Sequence, residues 1–207
     1  MSNVALPVQI QTKVFHQNEK QIYYPQVYGL NSPAEQHMNR LIVQLVNNLI
    51  QAQYDQQQVN EFTEMISTYE VKTNERNILS LTISNYAYAP YHAHGLTIMK
   101  SLTFDIRTGK NYSLNELFLP NSRYVDVLSQ KVLDQIEERQ IDVLNDNGFT
   151  QISPQQDYYV ADQVLVLYFQ PYEITPGYVG FPLFPIPIYE IENIINESGP
   201  LGSLLGQ

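Results

Sequence analysis

Ser32-Pro-Ala-Glu-Gln-His-Met-Asn-Arg-Leu-Ile-Val-Gln-Leu-Val-Asn-Asn-Leu-Ile50 is the most regular stretch of the chain. Ser32 can cap a helix, Pro33 suits the first turn, and Glu35 completes a capping box. Met38, Leu41, Ile42, Leu45, Val46, Leu49 and Ile50 then keep helical spacing without a miss. One face of this helix therefore packs on an apolar surface. Gln51-Ala-Gln-Tyr-Asp-Gln-Gln-Gln58 follows and reads as a short, Gln-biased, solvated exit.

The flanking segments supply that surface. Upstream, residues 8–15 alternate apolar and polar as a half-buried strand does, and residues 20–28 form a second extended run. Pro25 marks the second run as an edge or bulged strand, because proline gives a ladder no N–H. Downstream, residues 64–73, 77–89 and 96–106 read as three strands. They are joined by Asn74-Glu-Arg-Asn77 and by Asp105-Ile-Arg-Thr-Gly-Lys110, where Gly109 allows the positive φ of a turn. Such a meander makes an antiparallel sheet.

Residues 114–119 read as one helical turn stopped by Pro120. A second helix is expected over 122–142, capped by Asn121 or Ser122. Its core stripe is Val125, Leu128, Val132 and Ile136, with Leu133 alongside, and its solvated face carries Asp134, Glu137, Glu138 and Asp142. Asp146-Asn-Gly148 ends that segment. Residues 158–170 contain the apolar run Val164-Leu-Val-Leu-Tyr-Phe169, a strand central in its sheet. A Pro- and Gly-rich stretch leads to a short strand at 186–189 and a helical turn at 190–195. Residues 197–207 read as a flexible tail. The order is β-β-α-β-β-β-α-β-β. The fold class is thus α+β, with antiparallel sheets each covered by a helix. The expected division is an N-terminal half at 1–110, a C-terminal half at 111–196, and the tail.

Composition narrows the function. The chain has 207 residues, 43% hydrophobic and 15% charged, with 16 Tyr and no Trp. Its net charge of −10 is uneven: residues 1–100 hold 6 basic and 7 acidic groups, residues 101–207 hold 5 and 14. A field of that sign repels phosphate backbones and anionic lipid, and it attracts basic proteins. With no Cys, zinc ribbons, thiol nucleophiles and disulfide scaffolds are excluded. No run reaches membrane-helix length, and Met1-Ser-Asn-Val-Ala-Leu-Pro7 shows no signal peptide. As written, the chain is expected in the cytoplasm or a spore; as a trimmed piece of a longer protein, it is expected outside the membrane.

Two stretches carry a family resemblance. Phe104-Asp-Ile-Arg-Thr-Gly-Lys-Asn-Tyr-Ser-Leu-Asn-Glu-Leu-Phe118 is similar to an F-D-x-x-T-G-K-x-x-x-L-x-x-L-F run. Leu167-Tyr-Phe-Gln-Pro-Tyr-Glu-Ile-Thr-Pro-Gly-Tyr-Val-Gly180, with Ile186-Pro-Ile-Tyr189 after it, is similar to F-x-P-Y-E-I-x-P followed by an I-P-y strand. Tyr24-Pro-Gln-Val-Tyr-Gly-Leu30 resembles the domain that precedes these signatures. Together they resemble the extracytoplasmic, lysozyme-sensing part of the anti-sigma-V factors of Gram-positive bacteria, and the N-terminal half also resembles a module attached to peptidoglycan deacetylases. The resemblance implies protein or cell-wall recognition rather than catalysis. In contrast to those families, this sequence shows no membrane segment, no sigma-binding stretch and no deacetylase domain.

The chemistry-bearing residues fit that expectation. No Gly-x-Ser-x-Gly and no phosphate loop is present, and Glu137-Glu138 is the only adjacent acid pair. His92-Ala-His94 has metal-like spacing, which would need a third ligand such as His16, His37 or a carboxylate; the simpler reading is a loop in which His94 bonds to backbone. No metal and no cofactor is assigned. Tyr86, Tyr88 and Tyr91 form a stacking platform if exposed, or cross-strand packing if buried. In the loop from Tyr172 to Tyr178, Glu173 either caps backbone amides or joins the tyrosines in recognition. The candidate binding residues are therefore Tyr86, Tyr88, Tyr91, His94, Tyr172, Glu173 and Tyr178. The expected function is a non-enzymatic recognition module for a protein, a basic one such as a lysozyme included. The alternatives are a peptidoglycan-binding accessory module or a Tyr/Gln-rich structural protein of a spore or envelope layer.

Overall fold

Helix α1 (Pro33–Gln57) begins as its sequence dictates. Ser32 Oγ accepts from Glu35 N at 3.3 Å, and the Glu35 carboxylate accepts from Leu30 N at 2.8 Å and Asn31 N at 3.1 Å. Met38, Ile42, Val46 and Leu49 are buried, with Leu41, Leu45 and Ile50 packed at the margin. Each fully buried aliphatic contributes about 1.5–3 kcal/mol relative to an exposed one. In a computed structural model that describes residues 6–144 and 148–205, this stripe lies on a five-stranded sheet.

The sheet comprises β1 (Gln9–Gln17), β2 (Lys20–Tyr28), β3 (Glu64–Glu75), β4 (Ile78–Tyr88) and β5 (Leu96–Asp105), in spatial order β1-β2-β3-β4-β5. Three pairings are antiparallel. The fourth, β2 with β3, is parallel, from Lys20 opposite Met65 to Ile22 opposite Ser67. The expectation of a purely antiparallel sheet is corrected here, because α1 is a crossover that returns the chain in the same direction. Pro25 is likewise not on the edge strand: β1 is the edge. The β3 ladder stops at Ile22, three residues before Pro25, so no ladder on that side needs its missing N–H. Beyond that point Asn39 of α1 takes the place of a strand, its Oδ1 accepting from Val27 N at 2.9 Å and its Nδ2 donating to Val27 O at 2.8 Å.

The Gln-rich end of α1 is solvated only in part: Gln51, Asp55, Gln56 and Gln58 are exposed as expected, but Gln53 and Gln57 turn inward. Gln53 is fully buried and donates to Asn85 O at 2.7 Å and Leu96 O at 3.1 Å. Gln57 donates to Gln53 Oε1 at 2.8 Å and to Ala87 O at 3.2 Å. A buried amide N–H needs an acceptor, and the strand carbonyls supply it. The β3–β4 turn places Arg76 and Asn77 at φ 47° and 62°, the two positive values of a tight hairpin.

Contacts divide the chain into two units, Met1–Asn111 and Tyr112–Gln207. The second unit opens with a 3₁₀ turn at Leu114–Leu117, then α2 (Tyr124–Glu138). Neither Asn121 nor Ser122 caps α2: the N-cap is Arg123, whose Nε meets Asp126 Oδ2 at 2.7 Å. Asn121 instead takes a left-handed turn at φ 63°. Leu128, Val132 and Ile136 are buried; Asp134, Glu137 and Glu138 are exposed. The helix ends before residue 142 because Gln140 turns left-handed at φ 52°. Of the expected Asp146-Asn-Gly148 stop, Asp146 and Asn147 lie outside the described residues.

Residues 158–170 form a hairpin rather than one strand. β6 (Tyr158–Ala161) and β7 (Val164–Tyr168) are joined through Asp162, at φ 49°. β7 is central, between β6 and β8 (Leu183–Pro187), as its unbroken apolar run predicts. A 3₁₀ segment, Ile188–Ile194, follows β8. Residues 197–205 are not a loose tail: α3 (Pro200–Leu205) buries Leu201 and Leu204 completely. Among the described residues, eight strands in two helix-covered sheets confirm the α+β class.

Two substitutions test these contacts. Gln53→Ala removes a fully buried amide and its hydrogen bonds to the Asn85 and Leu96 carbonyls, and is expected to cost about 1–3 kcal/mol in urea unfolding. Gly109 stands at φ +74°, and a Cβ there would lie 2.8 Å from Ala34 O. Gly109→Ala is expected to destabilise by about 1–3 kcal/mol in the same assay.

Candidate functional site

In the first unit the candidate residues lie on β4 and the loop after it. Tyr86 and Tyr88 share one face of the strand, both half-buried. The hydroxyl end of the Tyr86 ring packs against Gly95, where an added Cβ would fall 2.3 Å from the ring. Tyr88 Oη donates to His92 O at 3.1 Å, and His92 N donates to Ala89 O at 3.3 Å. These two tyrosines thus brace the loop and do not form an open platform. Between the braces stands Tyr91, fully exposed and at φ 66°. An aromatic residue in the left-handed region is uncommon, and the strain of about 1–3 kcal/mol persists only where the surroundings hold the backbone. His94 is exposed, with Nδ1 3.1 Å from Gly95 O. Among the described residues no three His, Asp or Glu side chains gather to hold a metal ion.

In the second unit the candidate loop runs over residues 170–180. Tyr172 takes φ 67°, and its ring covers Gly177, where a Cβ would lie 2.1 Å from it. Glu173 Oε2 accepts from Gln170 N at 2.7 Å while its own N donates to Gln170 O at 3.1 Å. The cap that the sequence allows is therefore present. Tyr178 stands 80% exposed, and its hydroxyl donates to Asp142 Oδ2 at 2.9 Å. That bond to Asp142 holds the Tyr178 phenol above its ordinary 10.0, with lesser pushes from burial and from the Asp142 charge. Leu144 N donates to Ile174 O at 2.9 Å and ties the segment after α2 to the loop. A cleft of about 320 Å³ adjoins it, lined by Phe149, Thr150, Gln151, Ser153, Gln156 and Glu173 among others.

Sequence reasoning missed the two braces of this second loop, Asp142 and Leu144. Asp142 reads as part of a solvated acidic helix face, and only its placement after the helix end brings it to Tyr178. The Phe104–Phe118 signature proves to be structural. Asp105 Oδ1 accepts from Arg107 N at 2.8 Å, and Arg107 Nη2 reaches Asp105 Oδ2 at 3.1 Å. Gly109 N closes the turn on Asp105 O at 2.8 Å. Further on, the Glu116 carboxylate accepts from Ser113 N at 2.9 Å, and Leu114, Leu117 and Phe118 are buried.

The signature residues thus shape turns, and the exposed Tyr91 and Tyr178 stand on hydrogen-bonded loops. Residues 115–189, within the second unit, match the family described as "Protein of unknown function (DUF3298)". The chain is similar to the anti-sigma-V factor RsiV of Bacillus subtilis, 28% identical over 146 residues, covering 66% of this chain and 47% of that protein. It is also similar to the peptidoglycan-N-acetylmuramic acid deacetylase PdaC of the same organism, 20% identical over 149 residues, covering 69% of this chain and 32% of that one. The similarity thus spans about half, or a third, of these relatives. Crystal structures of two DUF3298 family proteins share the fold. The one from Bacteroides fragilis has TM-score 0.70 at 12% identity and covers 96% of this chain and 98% of its own. The one from Pseudomonas aeruginosa has TM-score 0.67 at 14% identity and covers 93% and 95%. No helix among the described residues is long and apolar enough to cross a membrane.

The Asp105 turn carries a pH dependence. Burial raises its carboxyl, but the hydrogen bonds and charge of Arg107 and the N–H of Thr108 outweigh it and hold the carboxyl below the ordinary 3.8. The folded group binds its proton more weakly than the unfolded one. Its stabilisation is therefore complete above about pH 4 and is lost as pH falls through the lower folded value. Asp105→Asn is expected to flatten the fall in Tm between about pH 5 and pH 2 and to lower Tm at neutral pH. An unchanged acid slope would assign the acid sensitivity to other carboxylates.

Proposed function

We propose that this chain is a non-enzymatic recognition module that binds a basic protein through its second unit. One observation carries the reading. The first unit holds 8 basic and 8 acidic residues, whereas Tyr112–Gln207 holds 3 and 13, so the whole net charge of −10 belongs to the second unit. The unit's three cations are occupied internally. Arg123 pairs with Asp126, Lys131 with Glu190 at 2.6 Å, and Arg139 donates to Leu183 O at 2.8 Å while lying over Phe184. The surface field is accordingly acidic, and such a field speeds encounter with basic partners. Tyr178 supplies a large aromatic contact on a braced loop, the type of residue that anchors interfaces. Similarity to an anti-sigma factor supports a protein partner, and a lysozyme is the basic protein the sequence resemblance points to.

Calorimetric titration with lysozyme at about 50 mM and about 300 mM salt tests this, since the Debye length shortens from roughly 14 to roughly 6 Å. A specific interface retains binding at the higher salt, and Tyr178→Ala weakens it at least about tenfold while leaving stability within about 0.5 kcal/mol. Binding lost entirely with salt would reduce the reading to charge attraction alone.

A second reading, a cell-wall glycan module, is supported by the fully exposed Tyr91 and by similarity to a protein named as a peptidoglycan deacetylase. Tyr91→Ala is then expected to abolish co-sedimentation with purified peptidoglycan. Wild-type protein left in the supernatant would remove this reading.

A further inference from the structure

We infer that β1 is a pairing edge, on which a second copy of this chain adds its own β1 to make a continuous ten-stranded sheet. β1 pairs with β2 residue for residue over nine positions, without a bulge, and among the described residues no strand lies on its other side. The devices that usually blunt an edge are nearly absent. Gln9-Ile-Gln-Thr-Lys-Val-Phe-His-Gln17 has no Pro, no Gly, no carboxylate and one Lys. The opposite edge is treated differently: Asn111 bridges to Phe104, and its Oδ1 accepts from Thr103 N at 3.0 Å.

The backbone geometry sets the register. Gln17 and Lys20 close the β1–β2 hairpin, so the peptide groups of Gln17 face β2. Alternation then turns the N–H and C=O of Thr12, Val14 and His16 outward. An antiparallel copy related by a two-fold axis at Val14 pairs Val14 with Val14, Thr12 with His16 and Gln11 with Gln17. About six new backbone hydrogen bonds result. Lys13 then lies opposite the partner's aromatic Phe15, an attractive cation–ring pair, and no two like charges oppose each other.

Side-chain exposure agrees with a covered edge. Val14 is 59% and Phe15 44% exposed on the strand, and Val43 is 43% exposed on the neighbouring flank of α1. Phe15 and Val43 line one apolar groove of about 180 Å³ with Tyr24 and Ile50. The strand's own composition selects a second copy as the occupant. With one Lys and no carboxylate, its antiparallel self-register sets each Lys13 against a Phe15 and opposes no like charges, and the unit that carries it holds 8 basic and 8 acidic residues.

Sedimentation equilibrium of the whole chain from about 1 to about 100 µM is the test, with variants at the axis. A concentration-dependent dimer is expected. Val14→Glu sets two carboxylates face to face and is expected to weaken it at least about tenfold, with unchanged circular dichroism because Val14 is exposed. Since the chain has no cysteine, Val14→Cys gives a second readout: oxidation is expected to yield a covalent dimer, whereas Val71→Cys, exposed on β3 away from the edge, is not. A wild-type monomer across that range overturns the proposal. So does a dimer that survives Val14→Glu and fails to cross-link through Val14→Cys.

Discussion

Burial of the α1 stripe against the sheet is the constraint on which the first unit depends. Met38, Ile42, Val46 and Leu49 can leave water only if strands lie on both sides of the helix in sequence and beneath it in space. A helix inserted between β2 and β3 therefore sets their direction, and the one parallel pair of the sheet follows from it. The cost of so long a crossover is a ladder only three residues long. Asn39 compensates by bonding both polar groups of Val27, a strand-like contact made by a side chain. Gln53 and Gln57 do the same at the far end of the helix with the carbonyls of β4 and β5. Amide side chains thus join helix to sheet at both ends of an otherwise apolar contact. That use accounts for part of a composition rich in Asn and Gln and poor in charge.

The loops that carry the candidate residues obey a common rule. In each, one tyrosine ring lies on a glycine, Tyr86 on Gly95 and Tyr172 on Gly177, and the glycine has no side chain because the ring occupies its space. A second tyrosine on each loop, Tyr91 or Tyr178, is left in solvent. Rigid aromatic display lowers the entropy lost on binding, the usual benefit of preorganisation. Charge separates the two units: one is neutral, and the other carries the entire excess of carboxylates.

Much of this was legible beforehand. The periodic stripe of α1, the alternating strands of the meander, the Gly109 turn and the apolar run of β7 each come from local pattern, and each stands where the pattern puts it. The failures are physical too. Gln51–Gln58 reads as solvated because glutamine is polar, yet Gln53 finds two buried carbonyls. Residues 158–170 read as one strand because Asp162-Gln163 is too short a polar interruption to stand out, although two residues suffice for a hairpin. Residues 197–205 read as a tail because Gly, Ser and Pro interrupt a short run near the end of the sequence, while Leu201 and Leu204 are what the fold buries.

By itself, the sequence determined the elements, their class and the resemblance that the DUF3298 match bears out. These rest on periodicity, caps and turn residues, which act over a few positions along the chain. Only the tertiary structure decided which tyrosines brace and which are displayed, why Asp142 meets Tyr178, and where a polar residue is buried. Those outcomes depend on groups brought together from far along the chain, such as Gln53 with Leu96 and Asp142 with Tyr178. No local pattern encodes them, because burial and hydrogen-bond partners are properties of the packed chain and not of its segments.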